Sequence, residues 1–411
     1  MGTSPSVVVI GGGPAGLMAA DRLSQAGLPV ALFEAQATLG RKFLMAGRGG
    51  LNITHSEPTD SFLSRYGDSR DRLAPWIRSF GPDAIQAWMS DLGQESFVGS
   101  SGRIFPKALK ASPLLRAWIR RLADQGVAFH LRHRWLGWAA EDTTSHRFAT
   151  PTGEIQVPSN ATVLALGGAS WPRLGSDGAW TGPLGNIGLA LSPFRPANCG
   201  FERPWSPVLV ERFAGTPVKP VVMTFGGVSR RGEFVLTRHG VEGGLIYAFS
   251  AALRDSISNG GEALPILDLV PDRTFETLAT DLARPRGGKS LATHLKRRGI
   301  PPIASALVRD LAPDSLDSPS TLARALKALA LPLFAPRPLA EAISTAGGLS
   351  LSSLDDGLMV RDRPGLFCCG EMLDWEAPTG GYLITACLAQ GRAAAEGLIR
   401  WRTTAPCPES S

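Results

Sequence analysis

Residues 7–34 read VVVIGGGPAGLMAADRLSQAGLPVALFE, and this stretch carries the strongest structural pattern in the chain. Its first four residues are β-branched and predict a short buried strand. The glycines that follow predict a sharp turn into a helix, which carries Leu17, Ala20 and Leu23 on one face. A second apolar run at residues 30–33 predicts the next strand. The stretch therefore predicts a strand, turn, helix, strand unit.

The glycines of this turn fit the G-x-G-x-x-G pattern at Gly11, Gly13 and Gly16. The first glycine permits the tight turn, the second lets the backbone approach a pyrophosphate, and the third lets helix and strand pack closely. The helix N-terminus offers unpaired N–H groups and a positive dipole end to that pyrophosphate. Glu34 ends the second strand, where an acidic side chain can accept hydrogen bonds from an adenosine ribose. The pattern predicts binding of a dinucleotide.

The overall composition limits the classes of protein that remain. A chain of 411 residues with 44% hydrophobic residues predicts two or three units with an ample core. The net charge of +6 permits an anionic partner, although such an excess more often covers a solvated surface. The five cysteines form neither a disulfide framework nor a C-x-x-C motif, which is typical of a reducing compartment. With no signal-peptide pattern and no bilayer-length apolar run, we expect a cytoplasmic protein without membrane contact.

Residues 35–58 follow the acidic residue and are too rich in glycine and polar residues between 46 and 56 to form a regular element. Glycines at positions 47, 49 and 50 let the backbone lie flat against a ligand. We therefore predict a loop that covers the dinucleotide. The side chains that could neutralise phosphate charge or bond a polar ring edge are Arg41, Lys42, Arg48, Asn52 and Thr54.

A second buried strand is predicted at residues 161–166, ATVLAL, and it runs into Gly167 and Gly168. Open α/β sheets bind ligands at the carboxyl ends of such strands, so Trp171 and Asp177 in the next loop are candidate site residues. Helical periodicity covers residues 74–92 and 112–125, and residues 102–107 predict a hairpin or loop.

The composition changes near residue 193. Prolines and alternating apolar residues predict antiparallel strands up to about residue 270, and residues 271–331 turn helical. Strands are predicted again at residues 357–360 and 366–369, before a long helix opened by Gly380 and Gly381. We therefore predict a domain of residues 1–192 and 345–411 that is interrupted by an insertion at 193–344. The basic residues that best suit contact with a polyanion are Arg284, Arg286, Lys289, Lys296, Arg297 and Arg298.

Six segments together resemble the BaiN/YhiN-like bacterial FAD flavoproteins, in the family's order and spacing over nearly the whole chain. They are the glycine motif at 11–16, RKFLMAGRGGLNIT at 41–54, LGGASWPRLGSDG at 166–178, GEFVLTRHGVEG at 232–243, TAGGLSL at 345–351 and GLFCCGEMLDWEAPTGGY at 365–382. The resemblance implies an α/β fold, in which a Rossmann-like, glutathione-reductase-type FAD-binding domain is interrupted by an inserted β-barrel-like plus helical domain.

The resemblance also implies a set of cofactor-binding residues. They are Gly11, Gly13, Pro14, Ala15, Gly16, Glu34, Arg41, Lys42, Asn52, Gly370, Glu371, Asp374, Gly381, Tyr382 and Leu383. By this similarity, the glycine motif holds the FAD pyrophosphate, residues 370–374 approach the ribityl chain and pyrophosphate, and residues 381–383 set N–H groups near the pyrimidine end of the flavin. A helix N-terminus there would stabilise the negative charge that reduction places on the ring.

One departure from the family concerns the loop at residues 47–54. The family commonly has Arg-Cys-Asn after its glycines, whereas this chain has Leu51 before Asn52 and an arginine at position 48. Any role of the family's cysteine is therefore missing from this chain. Adjacent Cys368 and Cys369 are predicted in a buried strand, where they point to opposite faces, and do not predict a redox disulfide.

Flavin supplies hydride transfer, and the chain contains one dinucleotide fingerprint, so NAD(P)H is expected as a transient reductant that enters the substrate cleft directly. The leading hypothesis is NAD(P)H-driven reduction of an activated C=C bond in a small or steroid-like substrate, with Tyr382 as the catalytic proton donor. Further candidate acids are Glu371, Glu376, His239 and Tyr247. Two alternatives stay open: a flavin-dependent uridine reductase that acts on ribosomal RNA, and a non-catalytic interaction module stabilised by FAD. The oligomeric state is left open.

Overall fold

The computed structural model describes residues 7–46, 49–139 and 144–404. The chain divides into two compact units, the first formed by residues 1–195 and 343–411 and the second by residues 196–342. Gly47 and Arg48 lie outside the described residues, so the expectation that Arg48 neutralises phosphate has no structural counterpart here.

The strands follow in chain order. They are β1 (Val7–Ile10), β2 (Val30–Glu34), β3 (Thr54–His55), β4 (Ser96–Val98), β5 (Arg103–Pro106), β6 (Ala128–Leu131), β7 (Arg134–Trp138), β8 (Ser145–Thr150), β9 (Gly153–Pro158), β10 (Thr162–Leu164), β11 (Leu191–Ala197), β12 (Phe201–Glu202), β13 (Pro217–Phe225), β14 (Val228–Leu236), β15 (Gly240–Glu242), β16 (Ile266–Asp268), β17 (Leu329–Ala330), β18 (Ala335–Pro336), β19 (Ser344–Leu349) and β20 (Leu366–Cys368).

The α-helices are α1 (Pro14–Gln25), α2 (Arg41–Ala46), α3 (Thr59–Ser64), α4 (Arg70–Ser79), α5 (Pro82–Asp91), α6 (Ala111–Asp124), α7 (Thr181–Asn186), α8 (Pro207–Phe213), α9 (Gly244–Tyr247), α10 (Ser250–Gly260), α11 (Phe275–Ala283), α12 (Leu291–Arg297), α13 (Pro302–Leu311), α14 (Pro319–Lys327) and α15 (Tyr382–Thr404).

The first unit is built on a parallel sheet with the strand order β20-β10-β1-β2-β6. The residues of β1 are at most 2% exposed, as expected for a central strand covered on both faces. Helices α1 and α15 pack closely because glycine replaces a side chain between them: a Cβ at Gly391 would lie 2.2 Å from the carbonyl oxygen of Ala15. The predicted Rossmann-type α/β fold is confirmed.

The second unit combines a seven-stranded antiparallel sheet with helices. Its strand order is β17-β16-β13-β14-β15-β12-β18. Helices α11 to α14 contribute Leu278, Leu307 and Leu326 to its core, together with Phe234 of the sheet. The second unit therefore consists of one sheet with attached helices, and two of its strands, β17 and β18, follow the helices in the chain.

Three local predictions need correction. Residues 74–92 form two helices, α4 and α5, because Gly81 and Pro82 interrupt the helical hydrogen bonding between them. Residues 357–360 are not a strand: Leu358 has a φ of 65°, and this segment makes only isolated bridges. The segment predicted to be irregular contains the short strand β3, and the residues just before it form helix α2.

A buried carboxylate ties helix α1 to two tryptophans of neighbouring helices. Asp21 is 1% exposed and accepts hydrogen bonds from Trp118 Nε1 at 2.9 Å and Trp88 Nε1 at 3.4 Å. Arg121 Nη2 lies 3.7 Å from the same carboxylate. Because charge, hydrogen bonds and burial converge on Asp21, it stabilises the packing of α1 on α5 and α6.

We expect Asp21→Ala to lower the free energy of unfolding by about 3 kcal/mol, since it leaves the Arg121 charge and two indole N–H groups without their partner. Urea unfolding followed by circular dichroism measures the change. Asp356→Ala is the matched control, because Asp356 is 96% exposed in its ion pair with Arg72 and should cost less than about 1 kcal/mol. Equal losses in the two variants would contradict the role given to Asp21.

Candidate functional site

A cleft lies at the carboxyl ends of the parallel strands β1, β2, β10 and β20, within the first unit. Residues predicted from the sequence to bind the cofactor make up much of its wall. Those that line it are Gly11, Gly13, Pro14, Ala15, Glu34, Arg41, Lys42, Gly370 and Glu371. The structure therefore brings together residues from both ends of the chain at the edge where open α/β sheets bind ligands.

The glycine turn leaves open space in front of helix α1. Gly11 has a φ of 111°, and a Cβ there would lie 2.2 Å from the carbonyl oxygen of Ala165, so no other residue fits. Gly13 precedes the first residue of α1, and a Cβ there would meet nothing within 4 Å. Gly16 lies behind the turn, where a Cβ would be 1.9 Å from the carbonyl oxygen of Gly11. The turn thus exposes the N–H groups of α1 to a ligand.

Glu34 is held in a fixed orientation beside this turn. Its Oε2 accepts a hydrogen bond from the N–H of Gly12 at 2.8 Å, and its Oε1 accepts one from the N–H of Gln36 at 2.8 Å. Burial raises the pKa of the carboxyl, against the effect of these two backbone N–H groups. Each carboxylate oxygen retains capacity to accept from a ribose hydroxyl.

The two basic residues at the start of α2 have different surroundings. Among the described residues, the buried Nε of Arg41 has no hydrogen-bond partner, which leaves a cationic donor for a ligand. Lys42 Nζ instead lies 2.7 and 2.9 Å from the carboxylate oxygens of Glu371 and 2.6 Å from Ser170 Oγ. Glu371 also accepts from the N–H of Thr345 at 3.1 Å. Lys42 therefore balances Glu371, and Arg41 is the better candidate for phosphate.

Other predicted residues lie away from this wall. Asp374 accepts a hydrogen bond from Ser192 Oγ at 2.5 Å, and the buried Oδ1 of Asn52 has no partner among the described residues. Gly381 packs against the backbone of Thr54, which a Cβ would approach to 2.5 Å. The predicted cofactor-binding residues that do not line the cleft are Gly16, Asn52, Asp374, Gly381, Tyr382 and Leu383. Their roles toward the cofactor stay predictions.

Tyr382 begins helix α15 and belongs to a hydrogen-bonded cluster. Its hydroxyl donates to Glu57 Oε1 at 2.6 Å, and Arg65 donates to both oxygens of Glu57 at 3.1 and 2.6 Å. Tyr66 donates to the carbonyl oxygen of Tyr382 at 2.8 Å. Burial and the Glu57 carboxylate raise the pKa of Tyr382. Burial acts to raise the pKa of Glu57, but the bonds from Arg65 and Tyr382 hold it below its ordinary value.

The cleft also contains residues that the sequence did not single out. Arg134, Trp135, Ser176 and Trp180 line it, and so does Asp177, which was predicted from its position after β10. Trp171, predicted for the same reason, is not part of the lining. Trp180 and Ser176 follow the same strand end and could have been found by that rule. No local pattern marks Arg134 or Trp135.

The thiols around the cleft are protonated groups. Cys369 and Cys387 line the cleft, and burial raises the pKa of Cys387 to about 12. Burial also raises the pKa of Cys368 and Cys369, and the structure gives all three as free thiols. A thiol that stays protonated is a poor nucleophile, so Cys369 and Cys387 act as small apolar residues in the wall of the cleft.

The residues present fit an adenine dinucleotide. The glycine turn leaves a space without side chains in front of the N-terminus of α1. The carboxylate of Glu34 is held in place at the end of β2, and the buried Nε of Arg41 is a hydrogen-bond donor without a partner among the described residues. Together with the parallel sheet, these features define the class of Rossmann-type dinucleotide-binding proteins.

The chain belongs to the HI0933-like family: the family model described as HI0933-like protein Rossmann domain matches residues 5–397. This confirms the family expected from the sequence, and with it the assignment as an FAD-dependent oxidoreductase.

Several known proteins match this chain along nearly their full length. A 3-dehydro-bile acid delta(4,6)-reductase from Clostridium scindens is 26% identical over 94% of this chain and 98% of its own. A ribosomal RNA dihydrouridine synthase from Escherichia coli is 25% identical over 95% of this chain and 97% of its own. Among solved structures, a 3-ketosteroid delta1-dehydrogenase from Sterolibacterium denitrificans has a TM-score of 0.55 and 14% identity over 96% of this chain and 99% of its own, a likeness of fold alone.

Two kinds of feature are absent from the described part of the chain. Within residues 7–46, 49–139 and 144–404, no helix combines the length and apolar character needed to span a bilayer. The same residues contain no group of three or more histidine, cysteine, aspartate or glutamate side chains placed to hold a metal ion.

Proposed function

We propose that this protein reduces an activated C=C bond in a small or steroid-like substrate, with NAD(P)H as the electron donor and FAD as the carrier. The observation that carries this proposal is the similarity to a bile acid delta(4,6)-reductase over nearly the whole of both chains. It is combined with a cleft in this chain whose lining residues fit FAD. Bound FAD accepts a hydride from one partner and delivers it to the next. The sequence contains one dinucleotide-binding glycine motif, which would hold FAD. The nicotinamide would therefore enter the substrate-binding space directly and leave before the substrate binds.

The chain's own residues would perform binding and proton transfer. The α1 N-terminus and Arg41 would hold the pyrophosphate, and Glu34 would hold the adenosine ribose. The ion pair of Lys42 with Glu371 joins α2 to the segment after β20 and would keep that wall rigid. Tyr382 would donate the proton that completes reduction, because its hydroxyl stays protonated and would turn from Glu57 to the substrate.

A second candidate function is reduction of uridine in ribosomal RNA. It is supported by the similarity to a ribosomal RNA dihydrouridine synthase and by a basic surface in the second unit. The exposed side chains of that surface are Arg284, Arg286, Lys289, Lys296 and Arg297. A polyanion would bind there in a salt-dependent way. Membership of a family of oxidoreductases disfavours the hypothesis of a non-catalytic interaction module.

Anaerobic stopped-flow absorbance tests the proposal. FAD-loaded protein is mixed with NADH or NADPH, and we expect one of them to bleach the oxidised flavin band. The reduced protein is then mixed with a 4-ene-3-ketosteroid or with unmodified ribosomal RNA. Rapid reoxidation by the ketosteroid supports the first function. Reoxidation by RNA alone, weakened by salt and by replacement of Lys296 and Arg297 with alanine, favours the second. No bleaching by either nucleotide would contradict the NAD(P)H-driven scheme.

A further inference from the structure

The loop of residues 167–180 runs from the end of β10 to the start of α7 and is tied together at its base. Trp180 Nε1 donates a hydrogen bond to the carbonyl oxygen of Gly167 at 2.9 Å, which joins the two ends of the loop. Close to the C-terminal end of the loop, Asp177 Oδ1 accepts from the N–H of Ala179 at 3.1 Å. The first part of the loop is also held, because Lys42 Nζ lies 2.6 Å from Ser170 Oγ.

An ion pair connects the C-terminal part of this loop to strand β7 on another side of the cleft. Arg134 Nη1 lies 2.6 Å from Asp177 Oδ2, and both residues line the cleft. Arg134 begins β7, and the N–H of the preceding residue, His133, donates to the carbonyl oxygen of Glu34 at 2.9 Å. The pair thus fastens the loop to the strand end that carries the predicted ribose-binding carboxylate.

The residue next to this ion pair has an unpaired polar atom that lines the cleft. Ser176 is 7% exposed, and its buried Oγ has no hydrogen-bond partner among the described residues. A buried hydroxyl without a partner is unfavourable, so such an atom in a ligand cleft points to a bond that the ligand completes. The ion pair of the adjacent Asp177 helps to hold Ser176 in this place.

We propose that the Arg134–Asp177 ion pair is a clasp that holds the loop of residues 167–180 against bound FAD, where Ser176 makes a hydrogen bond to the cofactor. Opening of the clasp then limits how fast FAD leaves. The side chains of Arg134 and Asp177 are 45% and 29% exposed, so ions in solution screen their attraction. Release of FAD therefore depends on ionic strength through this pair.

The rate of FAD release tests the clasp without any electron acceptor, so its outcome is independent of the proposed reaction. FAD-loaded protein is mixed with a large excess of an apoflavoprotein that traps free FAD, and flavin fluorescence is followed. Asp177→Asn removes the charge but keeps an acceptor for the N–H of Ala179. Glu154→Gln is the matched control, because it breaks the similarly exposed Arg147–Glu154 pair of β8 and β9, away from the cleft.

At low salt we expect Asp177→Asn to release FAD about threefold to fivefold faster than the wild type, as for loss of one partly exposed ion pair. At about 0.5 M salt, where charges are screened over a few ångströms, the two rates should converge. Asp177→Glu should return the rate toward the wild-type value. Ser176→Ala should also speed release, yet keep the salt response of the wild type.

Two results would overturn the clasp. One is a wild-type release rate for Asp177→Asn at low salt. The other is a ratio between this variant and the Glu154→Gln control that is equal at low and high salt, because a merely structural loss does not respond to screening. A wild-type release rate for Ser176→Ala would remove the proposed bond from Ser176 to FAD.

Discussion

Gly13→Asp should give a folded protein that no longer retains FAD. Gly13 has a φ of −83° and a ψ of −178°, which any residue adopts, and its Cβ would meet no atom within 4 Å. Aspartate is also a favoured residue immediately before a helix. The substitution should therefore leave the apoprotein as stable as the wild type. Its carboxylate, however, would occupy the space in front of α1 that the pyrophosphate needs.

Two negative groups in that space repel each other at a cost of several kcal/mol, which corresponds to at least about a hundredfold weaker FAD binding. The ratio of flavin to protein absorbance after purification measures retention, and thermal unfolding of the apoprotein measures the fold. Gly182→Asp is the control, since Gly182 lies in the first turn of α7 with open space around it and outside the cleft. A Gly13→Asp protein that purifies with a full complement of flavin would contradict the assignment of this turn to the FAD pyrophosphate.

Tyr382→Phe should slow the reoxidation of reduced protein by an enone about a hundredfold, the usual loss when a general acid is removed. Reduction by NAD(P)H should keep its rate, because that step needs no proton from Tyr382. The ring keeps its contacts with Phe62 and His55, and Glu57 keeps both bonds to Arg65. Anaerobic stopped flow separates the two half-reactions.

Tyr66→Phe is the matched control. Tyr66 lies in the same aromatic cluster and donates to the backbone of Tyr382, so its loss should cost about 1 kcal/mol of stability with reoxidation nearly unchanged. If Tyr382→Phe leaves reoxidation intact, or slows both half-reactions equally, Tyr382 is not the proton donor.

The pH dependence of reoxidation checks the same assignment. An acid catalyst is lost as pH rises through its pKa, and burial with the Glu57 carboxylate raises the pKa of Tyr382. Glu57 must stay ionised to hold the hydroxyl, and its pKa lies below its ordinary value. We therefore expect a flat profile between about pH 6 and 9. A rate that falls through neutral pH would point to a different acid.

The glycine turn shows how much of the site is local. Gly11 and Gly13 lie within a few residues of the strand and helix that they join, so their spacing defines both the turn and the exposed helix N-terminus. The same holds for the glycines at 380 and 381, after which α15 begins at Tyr382. The strand ending at Glu34 and the loop after β10 were likewise predictable, because ligands bind at the carboxyl ends of parallel strands.

The pairing of side chains was not predictable. Lys42 was expected to neutralise phosphate, and in the structure its ammonium group forms an ion pair with Glu371, 329 residues further along the chain. Tyr382 meets Glu57 across 325 residues, and no pattern in the sequence marks Glu57. Arg134 and Asp177 are 43 residues apart and face each other only because β7 and the loop after β10 reach the same cleft.

The sequence by itself determined the Rossmann unit and the binding of a dinucleotide, because these depend on periodicity and turn chemistry over a few neighbouring residues. The tertiary structure alone decided which charged groups are neutralised, which polar atoms stay unpaired in the cleft, and which hydroxyl has a fixed partner. Those properties depend on distances and burial between residues far apart in the chain, and such distances arise only when the helices and strands pack together.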